Sequence, residues 1–528
     1  MATDPPRAPS LRFTSDVNQL QLRNEKLSAL LDVAKALIEE HTIDPLLDLI
    51  MAESARTVDA ERCSLFIMGR DGKELWSKIA HGLSSGQNII RLPVGQGIAG
   101  QVAQTGRPLN IPDAYADPRF NRAVDVSTGY HTKTILCVPM MGRDRVVGVV
   151  QALNHRDGPF SDEDEELLMA LGAMAAAAIE NANLYEDIEK LFEGFVTASV
   201  TAIEARDPTT SGHSERVAML SVVCFEALPR SGTHFLDVRI TPKEMRELRY
   251  AALLHDFGKV GVREHVLVKA EKLYPHELDL MRARFREARQ QAELEMLRAR
   301  LELVERSARA DREAALKELE TKWRARDAEL REMLEFVEAC NRPTVLERGG
   351  FERLKGVADT RFTGIDGRQQ PLLSAGELLN LQIPRGSLND SERKEIESHV
   401  VHTFNFLKQI PWTRELSRIP EIAGGHHEKL DGTGYPRGLH EDVLPLQTRI
   451  MTIADIYDAL TASDRPYKAA MPHHKALEIL EGEAKRSKID RRLLDVFIEA
   501  DVPGTSANMR SAGQLSGEFA ALAALAKR

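Results

Sequence analysis

Two adjacent imidazoles and two carboxylates stand in Gly425-His426-His427-Glu428-Lys429-Leu430-Asp431, directly ahead of Gly432-Thr433-Gly434-Tyr435-Pro436, a turn that no helix runs through. Neighbouring residues on a helix point about 100° apart. Two such imidazoles do not readily share one tetrahedral ion, but they can face two ions a few ångströms apart. Other segments offer more ligand-type side chains. Leu254-His255-Asp256-Phe257-Gly258-Lys259 sets a His-Asp pair after an apolar helical run and before a glycine that ends it. Gly212-His213-Ser214-Glu215-Arg216 and Glu397-Ser398-His399, with His402, add imidazoles, and Ala454-Asp455-Ile456-Tyr457-Asp458 embeds a carboxylate among apolar residues. These segments supply nitrogen and oxygen donors and no cysteine. Such a mixed set suits Fe, Mn or Zn better than Mg or Ca, which prefer all-oxygen shells. Any one of these histidines alone would more often be a packing residue; their combination in helical surroundings points to a metal site.

Together, His255-Asp256, His426-His427-Glu428, Asp431-Gly432-Thr433-Gly434-Tyr435-Pro436 and Asp464-Arg465-Pro466-Tyr467-Lys468 resemble the HD-GYP family of metal-dependent phosphohydrolases. The resemblance implies an all-α domain over 201–500 that opens cyclic di-GMP by water attack, giving linear pGpG, GMP or both. It also implies metal ligands at His213, His255, Asp256, His399, His426, His427 and Asp455, with Asp256 bridging two divalent ions. Fe or Mn fits best, with Zn and Ni as alternatives. Asp256 and Lys259 would be the catalytic residues, while Lys259, Gly434, Tyr435, Pro436, Arg465 and Lys468 would meet the substrate. The three-metal subtype of that family carries Glu four positions before the first histidine; here the position is Thr209, so two metals are expected. Hydrolysis at neutral pH requires a water made acidic enough to attack, which a metal pair provides. Glu428 and Asp431 are candidates for orienting ligating imidazoles. The alternative reading is a catalytically weak cyclic-dinucleotide receptor or scaffold that signals through its helical insertion.

The rest of the chain must bring those segments together. A chain of 528 residues exceeds one core, and 43% hydrophobic content suffices for several. Residues 1–16 are rich in Pro, Ser and charge and read as disordered. Over 17–43, Leu20, Leu22, Leu27, Leu30, Leu31, Ala34 and Leu37 recur at helical spacing, giving an amphipathic signalling helix. From 44 to 182 short β-rich runs such as Cys63–Met68, Thr134–Val138 and Val146–Leu153 alternate with turn signals and end in a helix. This pattern argues for an α+β sensor with helices on one face of an antiparallel sheet. A connecting helix over 183–200 carries Leu184, Ile188, Leu191 and Phe195 as a seam for a parallel two-helix coil, so a homodimer is expected. Within 201–500 the span 280–385 interrupts the catalytic segment. There, alternating Arg, Glu, Lys and Ala with a thin leucine stripe read as a long charged helix or helical hairpin. Residues 501–528 read as a tail.

The segment Val94-Gly95-Gln96-Gly97-Ile98-Ala99-Gly100, Asp125 through Thr128-Gly129-Tyr130, and Asn154-His155 with Phe160 and Asp164-Glu165 resemble a GAF domain. They are nearest to the cyclic-nucleotide-binding subset, with His155 where that subset has Lys. This implies a small-molecule pocket involving Asp125, Thr128, Asn154, His155 and Asp164. Read without the resemblance, Asn154, Phe160 and Asp164 fix a turn and cap a helix.

The net charge of −10 argues against a nucleic-acid polymer as partner, since coating duplex phosphate demands clustered positive charge. Four scattered cysteines without CxxC spacing argue against a disulfide framework and for a reducing compartment. No leader-type apolar segment and no membrane span are legible, and a cytoplasmic protein is expected.

Overall fold

The structure, a computed structural model, describes residues 30–40, 42–78, 90–207, 211–232, 234–306, 309–343, 349–462 and 470–511. The chain divides into two units, 1–193 and 194–528.

In the first unit a helix over 30–39 (α1) and Ile43–Thr57 (α2) lead into strands Ala60–Met68 (β1), Glu74–Lys78 (β2) and Ile90–Pro93 (β3). Helix Gly97–Thr105 (α3), strand Leu109–Ile111 (β4), helix Arg122–Thr128 (α4) and strands Ile135–Met141 (β5) and Val146–His155 (β6) follow. The strands form one antiparallel sheet in the order β3-β2-β1-β6-β5-β4. Alternation along β5 splits its apolar side chains between two cores. Leu136, Val138 and Met140 join residues of α1, α2 and the helix after β6, while Ile135 and Cys137 join Ile98, Ala99 and Val102 of α3. Helices therefore cover both faces, not the single face expected. The expected signalling helix is described only from residue 30, and 1–29 lie outside the described residues. Its Leu30, Val33 and Leu37 are buried in the sensor's own core.

Helix Asp162–Arg206 (α5) runs without a break through both the sensor's closing helix and the expected connector. Its start is fixed by Ser161 and Asp164. The Asp164 carboxylate accepts the Ser161 N–H at 2.8 Å, and Ser161 Oγ accepts the Asp164 N–H at 3.2 Å. Among the described residues α5 is the one helix long and apolar enough to cross a membrane by length and composition. Leu168, Leu171, Ala175, Ala176 and Ile179 account for much of that apolarity by filling the sensor core. Leu184, Ile188, Leu191 and Phe195 are exposed.

The second unit holds helices His213–Ala227 (α6), Pro242–Leu254 (α7), Glu264–Leu267 (α8), Pro275–Arg306 (α9), Arg309–Asn341 (α10) and Gly350–Asp359 (α11). Strands Arg361–Thr363 (β7) and Gln369–Pro371 (β8) pair as a small antiparallel ribbon. Helices Ala375–Leu381 (α12), Asp390–Leu407 (α13), Ile419–Ala423 (α14), Leu446–Thr461 (α15), His473–Lys485 (α16), Arg491–Glu499 (α17) and Val502–Ser511 (α18) complete it. The ribbon is a departure from the all-α expectation. It lies in the span expected as an insertion, where α9 and α10 form a hairpin whose base shares a separate core with α11 and α12: Met281, Phe285, Leu330, Val337, Leu354, Phe362 and Leu381. Glu392 ties that base to α13 by accepting from Lys269 Nζ at 2.8 Å and Tyr274 Oη at 2.7 Å. Residues 502–511, expected in a tail, form α18, with Val502 and Ser506 wholly buried. Residues 512–528 lie outside the described residues.

Candidate metal centre

Each ligand-bearing element is positioned by its local sequence. Gly212, at φ +66°, turns the chain so that α6 begins on His213. Thr241 and Glu244 make a reciprocal capping box with Pro242 in the first turn, which starts α7; that helix ends on His255, with Asp256 leading into a tight turn, Phe257–Gly261. A second capping box, Asn389 with Glu392, opens α13, which carries His399 at mid-helix. Beyond α14, His426 and His427 sit in a turn, and Asp455 and Asp458 lie one helical turn apart on α15.

Glycine makes the closest approach possible. A Cβ on Gly258 would stand 1.9 Å from the His399 carbonyl oxygen and 2.4 Å from the Thr403 nitrogen, so only glycine lets the turn press onto α13. Thr403 Oγ1 accepts the Gly258 N–H at 2.8 Å and donates to the His255 carbonyl at 2.9 Å, and Phe257 stacks on Phe406 with centroids 3.9 Å apart.

The side chains converge. His213, His255 and Asp256 offer ligand atoms within 4.8 Å of one another, and His399, His426 and His427 do the same. Asp256 stands between the trios: Oδ1 is 3.3 Å from His399 Nε2, while Oδ2 is 3.7 Å from His213 Nε2 and 3.6 Å from His255 Nε2. Asp455 spans them likewise, with Oδ1 3.3 Å from His213 Nε2 and Oδ2 4.0 Å from His427 Nδ1. His426 and His427 thus serve the same trio rather than facing apart. They occupy a turn, their ring centroids 4.1 Å apart, so helical spacing does not govern them.

Tautomers are set by the other ring nitrogen. His255, His399 and His426 each place Nδ1 2.6–2.7 Å from a carbonyl three residues earlier, at Ala252, Ile396 and Ala423, which directs Nε2 inward. His213 Nδ1 instead meets Asp458 Oδ2 at 2.8 Å, and Arg216 holds Asp458 through Nε at 2.6 Å and Nη2 at 3.0 Å. His255 Nε2 is wholly buried with no hydrogen-bond partner among the described residues. A buried imidazole nitrogen left without a partner is costly unless something binds it, and the surrounding nitrogen and carboxylate donors suit a divalent transition metal.

Electrostatics favour ligation at three of these imidazoles. Burial lowers the pKa values of His255 and His426 and takes His427 down to about 4, keeping these imidazoles neutral and able to ligate. For His213 burial is outweighed by hydrogen bonds to Asp455 and Asp458, which raise it to about 9. Burial disfavours the Asp256 carboxylate, but Lys259 and the neighbouring imidazoles hold its pKa well below the usual range. Burial also opposes the Lys259 charge, and Asp256 and Asp207 overcome it. Lys259 Nζ lies 2.9 Å from Asp256 Oδ2 and 3.0 Å from Asp207 Oδ2.

Glu428 and Asp431 do not orient imidazoles. Buried Glu428 accepts the Arg437 and Leu439 N–H groups at 2.8 and 2.9 Å, and Asp431 accepts the Thr433 N–H at 3.0 Å, so both shape the glycine-rich loop. That loop brings the Tyr435 ring over His427, with centroids 4.9 Å apart and planes 33° from parallel; Pro436 follows it and is exposed. Gly434 packs so closely that a Cβ would stand 2.3 Å from the Lys429 nitrogen. Arg465, Lys468 and Thr209 lie outside the described residues. Asp207, Arg216, Asp458 and Thr403 had no role assigned from sequence. The available hint was spacing: Asp458 and Arg216 each lie three residues after an expected ligand.

In the sensor, the expected pocket residues bond within the chain. Asp125 accepts from Thr132 N–H at 2.7 Å, Thr132 Oγ1 at 2.8 Å and Tyr115 Oη at 3.2 Å. Asn154, at φ +56°, accepts from the Lys133 N–H at 2.6 Å and donates to Glu61 at 3.0 Å and the His131 carbonyl at 2.9 Å. His155 Nδ1 accepts the Asp157 N–H at 3.1 Å, its Nε2 lies 3.8 Å from Asp164, and its ring meets Phe160 edge-on. These contacts fix the end of β6 and the start of α5. The Thr128 side chain lies outside the described part of the structure.

Comparison with known proteins agrees with this architecture. Residues 42–179 match the family model described as GAF domain, and residues 210–339 and 372–493 match two models described as HD domain. All seven candidate ligands fall within the two HD matches. Over 187 residues the chain is 37% identical to the probable 3',5'-cyclic phosphodiesterase pde-5 of Caenorhabditis elegans, covering 33% of this chain and 26% of that protein. The chain thus spans about a quarter of that relative's length. Among solved structures, a GAF domain from a phosphoenolpyruvate-protein phosphotransferase of Coxiella burnetii is 23% identical. It covers 31% of this chain and 96% of its own, with a TM-score of 0.28. The corresponding Acinetobacter domain is 21% identical, with 30% and 96% coverage and a TM-score of 0.27. The molecule has a GAF fold, an antiparallel sheet with helices, followed by a largely helical HD-type region.

Proposed function

We propose that the chain is a sensor-regulated, metal-dependent phosphodiesterase of the HD-GYP type, hydrolysing cyclic di-GMP to linear pGpG, GMP or both in the cytoplasm. The observation that carries this reading is the Asp256 carboxylate, one oxygen of which faces His399 of the three-imidazole group while the other faces His213 and His255. Two divalent ions, Fe or Mn by preference, would be held by His213, His255, Asp256 and Asp455 on one side, and by His399, His426, His427 and Asp256 on the other. When bound, such ions acidify water and offset charge on phosphoryl oxygens.

The chain's own residues do the rest. Lys259 keeps its ammonium charged against Asp256, where a phosphate oxygen drawn to the centre would also come to lie. Tyr435 offers an aromatic surface beside His427, and Glu428 holds its loop in place. The kinship with a probable 3',5'-cyclic phosphodiesterase supports the reaction class. The GAF domain takes a small molecule, a cyclic nucleotide being the class its resemblance favours, and the exposed seam Leu184, Ile188, Leu191 and Phe195 pairs two copies in parallel.

Purified protein loaded with Mn or Fe, incubated separately with cyclic di-GMP, cAMP and cGMP and resolved by chromatography, tests the proposal. Linear pGpG or GMP is expected from cyclic di-GMP, and none from the His255→Ala/Asp256→Ala variant. Undiminished hydrolysis by that variant refutes the assignment. Tight binding of cyclic di-GMP without turnover under either metal would establish a receptor instead, and cleavage of cyclic mononucleotides alone would replace the substrate.

A further inference from the structure

The inserted hairpin carries an apolar stripe that its own chain leaves uncovered. On α9, Met281, Phe285 and Ala288 face α10 and the insertion core. Leu294, Leu297, Leu301 and Val304 lie about 170° further round the helix, on the side away from α10, and are 44%, 46%, 60% and 41% exposed. Among the described residues, α10 exposes no large apolar side chain, so the stripe is confined to one helix. Its spacing of three, four and three residues is the alternation of a two-stranded coiled coil, four layers over about 15 Å.

The flanking charges identify the occupant. Beside the stripe stand Glu293 and Arg300 on one edge and Arg298 and Glu305 on the other. All four are exposed, and among the described residues none makes an ion pair within the chain. If a second α9 lies parallel, Glu293 meets Arg298 of the partner subunit and Arg300 meets Glu305 of the partner subunit. If it lies antiparallel, Glu293 meets Arg300 of the partner subunit and Arg298 meets Glu305 of the partner subunit. Acid faces base in both senses, so the edge pattern complements itself, as a two-fold interface between identical surfaces requires.

We propose that the outer face of α9 is a self-association surface through which the inserted arms of two copies pair, burying Leu294, Leu297, Leu301 and Val304 against their equivalents. Four layers bury less than a stand-alone dimer needs, so the arm contact is weak alone and adds to any other interface by raising local concentration. This inference does not depend on the catalytic assignment.

The test uses the full chain. All four native cysteines are buried, so a new surface cysteine is the reactive one. Leu301→Cys is expected to give a covalent dimer with a short bis-maleimide at micromolar protein, whereas Lys322→Cys, at an exposed position of α10, is not. Leu294→Glu/Leu301→Glu is expected to weaken self-association in sedimentation by about tenfold or more, since charges would enter an apolar seam, with the melting temperature unchanged at a dilution where the parent is monomeric. The proposal is overturned if Leu301→Cys cross-links no better than Lys322→Cys, or if the double variant sediments like the unaltered chain. A melting temperature lowered even at a dilution where the parent is monomeric would also overturn it, because the stripe would then pack within its own chain.

Discussion

Gly258→Ala probes how tightly the HD turn must seat on α13. The added Cβ would lie 1.9 Å from the His399 carbonyl oxygen, 2.4 Å from the Thr403 nitrogen and 2.8 Å from Thr403 Oγ1. The two nearest atoms are helix backbone, so no rotamer change relieves the clash. Reaching an ordinary contact of 3.4 Å from 1.9 Å requires the turn to retreat by about 1.5 Å. Asp256 sits two residues before the glycine, and its Oδ1 lies 3.3 Å from His399 Nε2 on that same helix. Metal ligation tolerates roughly 0.2 Å, so a displacement of that size separates His399 from Asp256 as joint ligands. Overpacking of this kind costs about 1–3 kcal/mol, roughly 2–10 °C in melting temperature, and a 1 Å misplacement of reacting groups costs about 10²-fold in rate. The assay is metal content after dialysis, scanning fluorimetry and cyclic di-GMP hydrolysis, with Gly482→Ala on α16 as control. A Cβ there meets nothing nearer than Arg486 Nη2 at 3.8 Å, so that variant should be as stable as the parent or slightly more so. If Gly258→Ala retained full metal content and parental turnover, the reasoning that seats Asp256 through this glycine would be wrong.

Three further outcomes are expected. Asp458→Asn weakens the acceptor for His213 Nδ1 and breaks the Arg216 pair, so metal affinity should fall about 10–100-fold while circular dichroism stays unchanged; equal affinity in titration would count against it. Glu428→Gln leaves one of the Arg437 and Leu439 N–H groups without its acceptor, for a loss of about 1–3 kcal/mol and a raised KM, since the loop that carries Tyr435 loosens. Arg263, through its side chain and N–H, holds the Glu395 carboxyl down at about 2, so that pair stabilises the fold above the ordinary carboxylate range. Its contribution fades as pH falls toward 2, and the melting-temperature gap between the parent and Glu395→Gln should narrow over that interval.

What could be read in the sequence follows the rarity and reach of the signals. Histidine and aspartate at helix ends, before glycine, are uncommon outside ligand sites, which made His255-Asp256 and His426-His427 conspicuous. The residues that hold them are common types meeting across the chain. Thr403 joins His255 over 148 positions and Asp458 joins His213 over 245, with nothing local to mark either. Placing His426 and His427 on a helix was an error of context: Gly424 and Gly425 end α14, and the turn aims both rings at one trio. Strands β1 and β6, with the apolar runs Leu65-Phe66-Ile67-Met68 and Val146-Val147-Gly148-Val149-Val150, were legible. Strands β4, β7 and β8, three residues each, are too short for alternation to show. Covering both sheet faces depended on α3, whose apolar Ile98, Ala99 and Val102 are interrupted by Gly97 and Gly100, so no helical run is legible there.

The most direct test of the metal centre is anomalous diffraction at the Mn or Fe edge from crystals of the loaded protein. Two peaks are expected, on opposite sides of the Asp256 carboxylate and about 3.5–4 Å apart, one among His213, His255 and Asp455 and the other among His399, His426 and His427. A single peak, or peaks distant from Asp256, would contradict a centre built around a shared carboxylate.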